Sequence, residues 1–232
     1  MKLNLIKLFV LLALPFATAS AADVNMKFGK PTKEEMQMTT YEADPEADAV
    51  VLCRLTDVEY TVEFNGYLVD YHEKCRIKVL KPGGERFAKV VVPYNRDVAG
   101  ADRVGASKFS LKSMQFTFGN TTSAVLEDMP GSMIDNTAGS YTDEEVIDIK
   151  ATAFNQEGSK VVKTSMKKSD MKTTKLDETS YQLEFTVPNV KVGTVIEYEY
   201  TIHRQLFWQL RDWYAQCDIP VVYAKLDMNI PN

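Results

Sequence analysis

The sequence predicts an all-β protein: an antiparallel β-sandwich with a short N-terminal helix or turn and an inserted loop or hairpin region. Three observations carry this expectation. Apolar residues recur at every second position through most segments, the period of a half-buried strand. Turn chemistry separates those segments, as at Asn65-Gly66, Pro82-Gly83-Gly84 and between Pro188 and Gly193. Helical periodicity is almost absent, and many short strands without helices pack as a sandwich. The 232 residues are 45% apolar and 25% charged with three cysteines, which excludes both a disordered chain and a disulfide-stapled miniprotein. A formal charge of −5 offers no basic surface for nucleic acid.

The first segment stands outside the fold. Lys2 and Lys7 precede an apolar run from Leu8 to Ala17, and Ala19-Ser20-Ala21 closes it with small residues. This is the pattern of a secretory signal peptide, expected over residues 1–21, with cleavage after Ala19 as the alternative. The run is too short to span a bilayer as a helix, so the mature chain is expected to have no transmembrane span. No cysteine stands at the cleavage point, so periplasm or secretion is expected, without a lipid anchor. Cleavage removes two lysines and no acid, leaving a mature charge of −7. Residues 22–232 then form one sandwich domain.

Thr32 with Glu35 fits a capping box and predicts a short helix from Lys33 to about Met38. A hairpin follows from Ala49 to Leu80. With Asn65 and Gly66 as its two loop residues, Phe64 faces Tyr67, Val62 faces Val69, Tyr60 faces Tyr71 and Val58 faces Glu73. In that register Val50, Leu52, Val58, Tyr60 and Val62 share the core face with Val69, Tyr71, Cys75 and Ile77. Cys53 points the other way, so a Cys53–Cys75 disulfide would need a bulge, and small buried thiols are the favoured reading. Strands are expected at Phe87–Tyr94, Val146–Phe154, Lys160–Met166, Tyr181–Val187 and Thr194–Ile202. In the last, Ile196, Tyr198, Tyr200 and Ile202 form a buried face, and Glu197, Glu199, Thr201 and His203 a wet one. The Gly-, Ser- and Asn-rich stretch at about 97–141 reads as an insertion, ordered as an extra strand or hairpin around Phe109–Phe118.

Several blocks resemble, in order, a bacterial exported domain of unknown function that stands N-terminal to transglutaminase-like domains in cell-envelope proteins. They are YEADPEADAVVL (Tyr41 to Leu52), CRIKVLKPGGERFAKVVVPY (Cys75 to Tyr94), IKATAFN (Ile149 to Asn155), VPNVKVGTVIEYEY (Val187 to Tyr200) and WYAQCDIPVVYAKLDMNIP (Trp213 to Pro231). The resemblance covers most of the mature chain outside the insertion. It implies a noncatalytic accessory module whose partner is a transglutaminase-like domain or another envelope protein, with catalysis supplied by that domain. Relatives would continue past Pro231 and Asn232; a shortened chain, a gene fragment and a free-standing version are all compatible. No catalytic residue, metal or cofactor is implied for the module itself.

The residues alone offer few sites. A thiol nucleophile needs an imidazole beside it, and the chain has only His72 and His203. Cys75 and His72 are three apart on one strand and face opposite ways. Cys217 with His203, oriented by Asp212 or Asp218, is the remaining dyad and the basis of an alternative as a small thiol hydrolase. No Cys or His spacing fits zinc, and Asp44, Glu46 and Asp48, or Asp143, Glu144 and Glu145, read as solvated acidic loops rather than calcium ligands. Lys160, Lys163, Lys167, Lys168, Lys172 and Lys175 read as a lysine-protected sheet edge in preference to a lipid or glycan contact. Trp208, Trp213 and Tyr214, beside Phe207, are the candidates for a glycan or peptide platform, the function expected of a free-standing binder.

Overall fold

The computed structural model of the protein describes residues 24–63, 66–96, 115–118, 121–125, 144–204 and 210–230. The expected signal peptide and most of the expected insertion lie outside them. After helix α1 (Lys33–Gln37) come strands β1 (Ala49–Glu63), β2 (Gly66–Val79), β3 (Lys89–Asn95), β4 (Gln115–Phe118), β5 (Thr121–Val125) and β6 (Glu144–Glu157). The chain continues through β7 (Lys160–Ser165), β8 (Met171–Lys175), β9 (Ser180–Thr186), β10 (Val195–Arg204) and β11 (Ala224–Asn229). One sheet has the order β11-β1-β2-β10-β6-β7, a second β3-β9-β8, and β4 pairs with β5 inside the insertion. All pairings are antiparallel except β1 with β11. The fold is therefore an all-β sandwich, as the alternation predicts.

The core lies between the two large sheets. Val69, Tyr71, Cys75, Ile77 and Val79 of β2 and Ile196 and Ile202 of β10 meet Val92 of β3 and Leu183 and Phe185 of β9. Odd positions of β2 and even positions of β10 share this face because side chains alternate along a strand. Tyr198 belongs to the same layer, edge-on to Phe185 with ring centroids 6.0 Å apart.

The first hairpin differs from the expected register in two ways. Its ladder closes at Glu63 opposite Gly66, so Val62 faces Tyr67, Tyr60 faces Val69 and Val58 faces Tyr71. From Cys53 onward each residue of β1 thus meets the residue two places earlier in β2 than the Asn65-Gly66 loop implied. A slip of two leaves every side chain on its own face, so hydrophobic pattern cannot separate the registers. The second difference is a bulge between Val51 and Cys53. It reverses the phase: Ala49 and Val51 join the main core, while Val50 and Leu52 pack with Leu80 on the opposite face. Cys53 and Cys75 remain on opposite faces as free, buried thiols.

The outer face of the large sheet is covered at one end by the N-terminal strap. Thr32 and Glu35 form the expected capping box at α1. Met36 then packs on Phe154 and Val195. The expected wet face of β10 is consequently dry at Glu197, which accepts from Arg76 Nε at 2.7 Å, while Gly29 N–H donates to its other oxygen. Arg76 also reaches Glu35 at 2.9 Å and the carbonyls of Asn25 and Lys27, both at 2.6 Å. Lys78 Nζ donates to the carbonyls of Met36 at 2.7 Å and Gly193 at 2.6 Å. The Pro82-Gly83-Gly84 break is a 3-10 turn (Pro82–Ala88) seated on β1, where a Cβ at Gly84 would lie 2.3 Å from the Asp48 carbonyl oxygen.

Candidate functional site

The segment 210–223 crosses the inner face of the large sheet and builds a cleft against it. Arg211 N–H donates to Tyr71 Oη at 3.1 Å, Trp213 Nε1 to Thr56 Oγ1 at 2.8 Å, and Arg54 Nη1 to the Tyr214 carbonyl at 3.0 Å. Farther on, Val51 N–H donates to the Pro220 carbonyl and Val51 pairs in parallel with Val221, which leads the chain into β11. Between this segment and the sheet lies a small cleft of about 70 Å³, partly open to solvent. Val58, Ile202, Leu226, Met228 and Leu210 give it apolar walls; Thr56, Tyr71, Glu73, Arg211, Asp212 and Trp213 complete it.

Two buried carboxylates organise the polar side of the cleft. Glu73 accepts from Thr56 Oγ1 at 2.9 Å and from Arg54 Nε at 3.4 Å, so Trp213, Thr56, Glu73 and Arg54 form one chain of contacts. Glu144 accepts from Arg211 Nη1 at 2.7 Å and Asn95 N–H at 2.9 Å, with Arg204 Nε 3.3 Å away. Glu144 is only 2% exposed, which corrects its assignment to a solvated acidic loop. A buried carboxylate is stable when ionic partners and hydrogen bonds replace its water, and both groups meet that condition. Neither is left as a free base.

The thiols and imidazoles are distributed rather than assembled. Burial pushes the Cys75 thiol up to about 12 and raises Cys53, which holds both sulfurs in the unreactive protonated form at neutral pH. Tyr198, hydrogen-bonded to Cys75, and Tyr200 are likewise raised, chiefly by burial. His72 Nδ1 lies 2.9 Å from Thr201 Oγ1 on the outer face, opposite Cys75, as their odd spacing predicts. His203 Nδ1 lies 2.6 Å from Asp70 Oδ1, also on the outer face. Cys217 is exposed in the segment over the inner face, with Sγ 3.5 Å from the Ile219 carbonyl oxygen. The sheet itself stands between that sulfur and the His203 ring. Among the described residues no group of three or more His, Cys, Asp or Glu is placed to hold a metal. No helix among them is long and apolar enough to cross a membrane.

Of the aromatic candidates, Trp213 is half-buried with its indole N–H committed to Thr56, and Tyr214 is 66% exposed beside it. Trp208 and Phe207 lie outside the described residues. Four of the six lysines fall on edge strands, Lys160 and Lys163 on β7 and Lys172 and Lys175 on β8, while Lys167 and Lys168 lie at the 3-10 turn between them. Sequence reasoning missed Thr56, Glu73 and Arg211 as cleft residues. A signal existed for Glu73, a charged residue at a core-facing position between Tyr71 and Cys75.

No family model matches the chain, and no curated protein matches it. Among solved structures, one from Parabacteroides distasonis ATCC 8503, described as a "putative protease", superposes with a TM-score of 0.39 at 7% sequence identity. The superposition covers 67% of this chain and 23% of that one, so the chain spans under a quarter of that protein's length.

Proposed function

We propose that the chain is a noncatalytic β-sandwich accessory module of an exported, transglutaminase-like cell-envelope protein, and that it acts through contact at the cleft beneath segment 210–230. The observation that carries this reading is the concentration of exposed apolar side chains there. Leu210 and Met228 line the cleft and are exposed, Tyr214, Val222 and Ile230 of the same segment are exposed as well, and exposed apolar surface of this kind marks a contact site. The ion-paired carboxylates and protonated buried thiols favour binding over catalysis in this chain. Export rests on the n-, h- and cleavage-region pattern of residues 1–21, and the transglutaminase association on the five ordered sequence blocks.

The test is binding of the mature chain to a transglutaminase-like domain of the same envelope protein, measured by calorimetry. Leu210→Asp and Met228→Asp should each weaken binding about tenfold or more, since a charge in a contact core costs more than about 1.4 kcal/mol. Binding unaffected by both substitutions contradicts the proposal. The exposure of Tyr214 beside Trp213 favours a second reading, a free-standing glycan or peptide binder. Glycan or peptide binding lost on Tyr214→Ala, with no affinity for the domain, would select it.

A further inference from the structure

We propose that two copies of this chain associate through β11, edge to edge and antiparallel, joining their six-stranded sheets into one. This goes beyond the docking function proposed above and does not depend on it. Among the described residues the two large sheets end in four edge strands, β11, β7, β3 and β8. β7 and β8 each carry two lysines and no acid, and β3 carries Lys89 and Pro93, the devices that keep edge strands from pairing. β11 carries less of this protection. Its sequence AKLDMN contains no proline, its ladder with β1 runs without a bulge, and its single lysine is balanced by Asp227.

The hydrogen-bond phase of β11 determines how a partner would pair. Arg54 N–H donates to the Tyr223 carbonyl, and Arg54 stands opposite Ala224. In a parallel ladder this turns the main-chain groups of residues 223, 225 and 227 toward β1, and those of Ala224, Leu226 and Met228 outward. An antiparallel partner must match outward residues with outward residues. Centred on Leu226, the register sets Leu226 opposite its own copy and Ala224 opposite Met228, each pair exchanging both amide and carbonyl. The same register sets Lys225 opposite Asp227 of the second copy, twice, as non-hydrogen-bonded pairs where side chains approach most closely. The strand is thus complementary in charge to itself, as a two-fold interface requires. Lys225 and Asp227 are about half exposed and pair with each other, at 2.5 Å within one strand. Met228 and Ile230, at 41% and 60% exposure, flank the seam and lose solvent on pairing.

Sedimentation equilibrium of the mature chain over a wide concentration range tests the proposal through charge reversal at exposed positions, which leaves the core intact. The wild type should approach twice the chain mass. Lys225→Asp and Asp227→Lys alone each create two like-charge pairs and should weaken association about tenfold. The double variant K225D/D227K restores complementarity and should recover wild-type association. An equimolar mixture of the two single variants should form heterodimers in preference to either homodimer. A chain that stays monomeric throughout, or a dimer indifferent to all three variants, overturns the proposal. Both side chains point to the face opposite the cleft, so the charge reversals leave the cleft lining unaltered.

Discussion

Lys78 stands at a position that alternation makes polar, yet it has no exposed surface. Burial lowers its ammonium pKa from 10.5 to about 8. The folded protein therefore holds fewer protons than the unfolded chain between about pH 8 and 10.5, and this group's contribution to stability rises with pH across that window. Cys75, Tyr198 and Tyr200 act in the opposite sense above about pH 9, because their raised values favour folding only while they stay protonated. Comparison with Lys78→Met isolates the lysine. The stability difference between wild type and variant, from urea unfolding, should be flat below pH 7.5 and shift toward the wild type by at most about 3 kcal/mol by pH 10.5. A difference constant over the whole range would show that Lys78 titrates normally. The cysteines give a second residue-level prediction. Cys217 alone should react with maleimide in the native state at pH 7.5, and Cys53 and Cys75 only on unfolding; mass spectrometry reads the count, and two fast-reacting thiols contradict it. Parity along β2 predicts the opposed faces of His72 and Cys75. It also puts Glu73 on the core face but says nothing of what pairs it there, which is Arg54 and Thr56 arriving from β1.

At the scale of elements, the strap over the outer face depends on a few cations. Arg76 binds two carboxylates and two carbonyls at once, a fan of donors that a planar guanidinium supplies and an ammonium cannot. Arg76→Lys should leave at least one of Glu35 and Glu197 underpaired and cost about 3 kcal/mol or more. Trypsin should then cut faster at Lys27 and Lys33, which lie on the strap; unchanged digestion and stability would show that the strap is held by its apolar contacts alone. Thr32→Ala removes the N-cap acceptor and should cost about 1 kcal/mol by the same unfolding assay. The capping box, and most strands to within a few residues, were legible because each is a local pattern. The strap's docking was not, since its hold on the sheet is mainly through main-chain carbonyls, which carry no sequence signature. β8 was also missed: Met171–Lys175 is rich in lysine and threonine and has little alternation, being an edge strand with one side in solvent.

Across the whole molecule, alternation and turn signals were enough to predict a sandwich, because they report that each strand has one buried face. They do not report strand order. The parallel pairing of β11 with β1 brings the end of the chain beside its beginning across more than 160 residues, and nothing local specifies it. That pairing places segment 210–223 over the inner face and so creates the cleft. A site made by distant segments is visible in sequence only as scattered residues that break the apolar pattern, such as Glu73 and Arg204. The central claim is that this cleft and its apolar rim are where the module meets its partner. An amide-resolved NMR titration of the mature chain with the transglutaminase-like domain tests it most directly. The account predicts shifts concentrated at 210–230 and at Thr56, Val58, Tyr71 and Glu73, with the strap and β7 unperturbed. Shifts centred on the strap or β7, or none at saturating concentration, would contradict it.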